Sequence, residues 1–139
     1  MDTRGLLEPE SAAAARDRFE ALGPVAQTVT REVAKAMDFD REEYRERVTT
    51  DVVGTAREAL FASMLRVHTG TREEFDDWCE AHPDLEVQVE GSEHVDRLAW
   101  HPAPFDGSVA AVTFQNEPDA AVGTVQRQAF ARHYRPLFE

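Results

Sequence analysis

Lysine is almost missing from this chain: of 15 basic side chains all but Lys35 are arginine, and they face 27 Asp and Glu. The formal charge of −12 would repel itself in dilute salt and oppose compaction. In molar salt the Debye length falls to about 3 Å, so the composition points to a protein built for a salt-filled cytoplasm. High salt also suppresses phosphate-driven affinity for any protein, so the charge alone says nothing about partners. Cysteine is nearly absent as well, and with Cys79 alone no intrachain disulfide can form. No run approaches the eighteen or more apolar residues of a membrane span, and the N-terminus lacks the apolar core of a secretory signal. A soluble cytoplasmic protein is the expectation. Common enzyme signatures are missing too: there is no G-x-S-x-G elbow, no phosphate-binding glycine loop and no H-E-x-x-H.

What is present suffices for a core. Hydrophobic residues make up 42% of 139 positions, with only 7 Gly and 7 Pro, and no linker or charge block marks a boundary. The expectation is a single α+β domain over 1–139. Its N-terminal half reads as about five helices. Ala12, Ala15, Phe19 and Leu22 recur at helical spacing until Gly23-Pro24 stops the pattern. A second helix starts at Pro24 with Val25, Val29, Val33 and Ala36/Met37 in one stripe. Asp40 and Glu43 stand in capping-box relation ahead of a short third helix. TDVVGTAREALFASMLRVHTG is apolar on more than one side, as a central helix would be, and ends at Thr69-Gly70. Thr71 and Glu74 cap a fifth helix that runs to Pro83.

After Pro83 the rhythm changes. LEVQVE alternates at two-residue spacing, and HVDRLAWH and SVAAVTFQ follow across turns at Gly91-Ser92 and PAPFDG. These predict a three-stranded antiparallel meander, one apolar face of which (Leu85, Val87, Val89, Leu98, Trp100, Val112, Phe114) is covered by helices. A C-terminal helix opened by Pro118 and carrying Val122, Val125, Ala129, Phe130 and Leu137 is expected on the same core, frayed near Pro136.

Three segments, REVAKAMDFDREEYRERV, GSEHVDRLAWHPAPF and FQNEPDAAVGTVQRQAF, carry a resemblance. They look like the blocks of a haloarchaeal family of unknown function, over most of the chain from about Asp2 to the last helix. That resemblance implies salt adaptation and transfers no catalytic residue.

Several constellations are candidate sites. VGTAREALFA (53–62) returns as VGTVQRQAFA (122–131), yet helix precedes Gly54 and strand precedes Gly123, so no whole repeat exists. Each glycine is therefore expected to admit a closely crossing element, so that alanine there would destabilise. Cys79, His82 and His94, with His101, have ligand types that zinc prefers, but the odd separation of His94 and His101 puts them on opposite faces of one strand. The expectation is no metal, with Cys79, His82 and His94 as an outside chance. Ser92, His94 and Asp96 on one strand face would sit about 6.6 Å apart, too far for a direct relay. Arg127, Arg132 and Arg135 form a basic strip on the last helix, where cations also favour the helix C-terminus. The loop Ala99 to Phe105 sets Trp100, His101 and Phe105 around two prolines, with Arg97 and His101 opposite Trp100, and is the candidate ligand or partner surface. Together these lead to a non-catalytic interaction or regulatory module that self-associates or binds a protein, with no cofactor, nucleic acid or membrane. The alternative is a small-molecule-binding protein or enzyme with a pocket at the 99–105 hairpin end.

Overall fold

In the computed structural model, which describes residues 1–139, five strands are β1 Asp2–Arg4, β2 Val67–Thr71, β3 Glu86–Glu90, β4 Arg97–Ala103 and β5 Ser108–Phe114. The helices are α1 Ala12–Ala36, α2 Arg41–Arg47, α3 Thr50–Met64, α4 Arg72–Glu80 and α5 Pro118–Ala129, which continues through a π-helical turn, Phe130–Tyr134, into α6 Arg135–Phe138. No helix is long and apolar enough to cross a membrane.

The class is α+β, but the three-stranded meander is wrong. The sheet is five-stranded and mixed, in the order β1-β2-β4-β5-β3. β4 and β5 do form the expected antiparallel hairpin, closed by Gly107 in the left-handed region (φ 64). β3, however, pairs parallel with β5 at the sheet edge, so β5 separates two strands that are consecutive in the chain. The connection is fixed from both sides: Ser92 N–H donates to Thr113 Oγ1, and the Arg72 guanidinium donates to the Ser92 and Val95 carbonyls. Ser92, His94 and Asp96 therefore lie in a loop, and β4 begins only at Arg97. Glu86 and Glu90 at the exposed edge discourage pairing with another sheet.

The single apolar sheet face is also corrected, because both faces are buried. β4 pairs Trp100 with Ala111 and Ala99 with Val112, which fixes the parity. Leu98, Trp100, Val109 and Ala111 pack with Phe75 of α4, backed by Leu85 and Val87. Val67, Ala99, Val112 and Phe114 pack on the opposite side against Ala121, Val122 and Val125 of α5. Three layers result, with the most apolar strands in the middle.

Two helix boundaries move. α1 runs through Gly23-Pro24 without a break. An interior proline loses a hydrogen bond and crowds the residue before it, but Gly23 has no Cβ to clash, and buried Leu22 and Ala26 hold both flanks. α3 stops at Met64, because Val67, Thr69 and Thr71 are β-branched and enter β2 instead. The caps are as read: Asp40 accepts from the Glu43 N–H, and Thr71 with Glu74 makes a complete capping box.

The chain forms two compact units, Met1–Ala15 with Ala62–Glu139, and Arg16–Phe61. The first holds the sheet. The second is helical, with Leu22, Ala26, Ala34 and Phe61 buried and the Phe19 and Phe61 rings edge to face at 5.8 Å.

Candidate functional site

The sheet unit buries an array of polar rings. His101 leaves β4 on the α5 side and is fully buried. Its Nδ1–H donates to the Arg66 carbonyl at 2.6 Å, and its Nε2 accepts from the Tyr134 hydroxyl at 2.6 Å. Burial pushes His101 down to about 4, so the ring is neutral at pH 7 with both nitrogens in use. The same burial holds the Tyr134 hydroxyl above its ordinary range. Tyr134 reaches this position from the π-helical turn, where Arg135 N–H returns to the Phe130 carbonyl. In a regular helix the Pro136 ring would collide with the carbonyl four residues back, and the wider turn relieves it.

Around this pair lie two further contacts. His133, also buried, donates from Nδ1 to Asp106 Oδ2 at 2.6 Å. On the other face of the sheet His68 lies opposite Trp100, with ring centroids 5.7 Å apart in a stacked arrangement, and its Nε2–H donates to Glu8 at 2.8 Å. The hydrogen bond from His68 is the main reason the Glu8 carboxyl is held below its usual range. His101 and Tyr134 have no exposed surface, so they cannot touch a substrate as they stand. They bracket β4, the Arg66 carbonyl and the C-terminal helix together.

The residues singled out by sequence fall in separate places. Trp100 and His101 are buried on opposite faces, as their adjacent positions require. Phe105 packs edge to face on Tyr134 at 5.3 Å, so it joins His101 through that ring. Arg97 lies at the far end of β4, over the Phe114 ring at 5.2 Å. In the basic strip Arg132 pairs with Glu90, Arg135 lies over the Phe130 ring at 5.1 Å, and Arg127 reaches the Thr124 hydroxyl. His82 stacks on Trp78 and donates from Nδ1 to the Trp78 carbonyl at 2.7 Å, while His94 is exposed in the loop before β4. Burial pushes the Cys79 thiol up, and no three His, Cys, Asp or Glu side chains gather for a metal ion.

The close crossing expected at the repeated glycines is not there. A Cβ on Gly54 would meet nothing within 4 Å, and one on Gly123 would meet only the far end of the Arg127 side chain at 3.3 Å.

What sequence reasoning misplaced is the stripe on α1. Val25, Val29, Val33 and Met37 do form one row, but they face solvent at 44%, 39%, 53% and 58% exposure. Beside the row runs an apolar groove of about 320 Å³, to which Val29, Val33, Met37, Phe39, Val52 and Ala56 contribute. α1 carries a second apolar row, Phe19, Leu22, Ala26 and Ala34, and that one is turned inward. Hydrophobic spacing marks both rows alike, and packing decides which one is covered.

Residues 6–135 match the model of a family described as a family of unknown function (DUF5809). No curated protein and no solved structure matches the chain.

Proposed function

We propose that this chain, which belongs to that family of unknown function, is a non-catalytic protein-interaction module of a salt-adapted, haloarchaeal cytoplasm, and that its partner is a second copy of itself. One observation carries the reading. Four large apolar side chains lie exposed in a single row along a 25-residue helix, continuous with an apolar groove. Apolar residues scattered singly over a surface are ordinary; a row beside a groove is the form of a binding face.

Self-pairing sets the row against its own copy across a two-fold axis, so that apolar surface meets apolar surface on both sides. Salt reinforces the contact, since it screens the repulsion between two chains of charge −12 while the apolar attraction persists. The buried His101–Tyr134 pair serves stability in this reading, its hydrogen-bonding atoms being consumed inside the fold.

Light scattering after size exclusion in 2 M potassium chloride tests the proposal. The wild type runs with a dimer's mass, and Val33→Asp weakens association at least about tenfold, because the carboxylate must be desolvated without a partner. A monomeric wild type, or a variant that dimerises equally well, contradicts it.

A further inference from the structure

The helical unit holds another hollow, of about 450 Å³, lined by Gly23, Gln27, Arg31, Tyr44, Gly54 and Arg57 among others. That volume lies within the usual range for a small organic ligand, roughly 300–1,000 Å³. Glycine is the first feature to explain. Gly54 sits inside α3, where glycine is about 1 kcal/mol less favourable than alanine. Neither a turn nor a crossing element requires it, since a Cβ there would touch nothing within 4 Å. Its effect is to leave the hollow open.

Positive charge is the second feature. Arg57 is anchored, with its Nε donating to the Phe19 carbonyl at 2.8 Å and its guanidinium over the Phe19 ring at 4.1 Å. Its guanidinium lies 3.7 Å from where a Cβ on Gly23 would stand. Arg31 lines the same hollow, and neither arginine is ion-paired to a carboxylate. An adjoining hollow shares Arg31 and Tyr44 and adds Lys35, Arg41 and Arg45, of which Lys35 pairs with Glu32. Five of the chain's 15 basic residues, against a single carboxylate, Asp40, which caps α2, thus line two neighbouring hollows of a protein with net charge −12. That concentration decides the sign of what binds there.

We infer that this hollow binds a small organic anion. Its carboxylate or phosphate head is held by Arg31 and Arg57, whose planar forks match either group. The Gln27 amide and the Tyr44 hydroxyl supply further donors, and the apolar body of the ligand lies against Val48 and Val53.

The test is a titration of ¹⁵N-labelled full-length protein at constant salt with butyrate, its neutral counterpart butyramide, and inorganic phosphate. Butyrate or phosphate shifts the Gly54 and Val53 amide signals saturably, and butyramide binds at least about tenfold more weakly than butyrate. Tighter phosphate binding assigns the head to a phosphate ester; tighter butyrate binding assigns it to a carboxylate. Gly54→Leu fills the hollow at a position where leucine favours the helix, so binding is lost while the melting temperature is held or raised. Arg31→Gln, on the surface, weakens binding about tenfold. The inference is overturned by equal binding of butyramide and butyrate, by no saturable shift with any probe, or by wild-type affinity in both variants.

Discussion

Lowering the pH from 7 to 5 should cost the sheet unit about 2 kcal/mol through a single side chain, His101. In the unfolded chain this imidazole takes up a proton near pH 6.5, whereas in the fold burial keeps it neutral down to about 4. Below 6.5 the unfolded state therefore binds a proton that the folded state refuses. The stability is present in full above 6.5 and is lost progressively as the pH falls towards 4. Over the range from 7 to 5 the unfolded histidine gains most of its protonation free energy and the folded one almost none, which gives the figure of about 2 kcal/mol. For a chain of this size that is a fall of roughly 5–10 °C in Tm. Glu8 acts in a lower window, because its carboxyl is held below the usual 4.5 and its contribution is lost only beneath that value. Urea unfolding followed by circular dichroism at pH 7, 6 and 5, in molar salt to screen the acidic surface, measures the slope. Stability unchanged between pH 7 and 5, or a His101 ring that titrates near 6.5 by NMR, refutes the reasoning.

Tyr134→Phe leaves His101 Nε2 buried without its donor and should cost about 1–3 kcal/mol, read from the same urea curves; a loss below about 0.5 kcal/mol means the bond is not formed. Gly54→Ala should stabilise by up to about 1 kcal/mol, the reverse of what a close helix crossing implies, whereas Gly91→Ala should destabilise by more than that. Gly91 has φ +121, and a Cβ there would collide with the Thr113 hydroxyl, so thermal melts of the two variants should move in opposite directions.

Local signals were read well from sequence and long-range ones were not. Thr71 with Glu74 and Asp40 with Glu43 act within one helical turn, so the spacing that announces a cap is the spacing that makes it. The parity of Trp100 and His101 is equally local and put them on opposite faces. Val67 belongs both to the apolar rhythm of α3 and to a strand, and only its pairing partners decide, with Arg4 opposite it in β1 and His68 beside it opposite Trp100 in β4. The parallel pairing of β3 with β5 was hidden for a related reason: consecutive strands usually neighbour each other, and here β5 inserts between β3 and β4. Gly23-Pro24 reads as a stop because the pair usually is one, and the burial that carries α1 through it comes from the folded state.

At the buried array, His101 was singled out for its place on a hairpin, but its partner Tyr134 is 33 residues away and reaches it from a widened helical turn that periodicity does not announce. The valine row on α1 was legible as a row, while its exposure was not. Hydrophobic spacing identifies a face, and a helix with two faces needs the fold to say which one is covered.

The central claim, that the exposed row on α1 is where two copies meet, is tested most directly by a distance across it. With Cys79→Ser removing the only native thiol, Thr28→Cys places a nitroxide beside the row on α1. Helices packed across the row put the two labels within roughly 30 Å in the dimer. Pulsed dipolar spectroscopy in 2 M potassium chloride should return such a distance and lose it on adding Val33→Asp. The absence of any dipolar modulation in the singly labelled, otherwise native stripe would contradict the account.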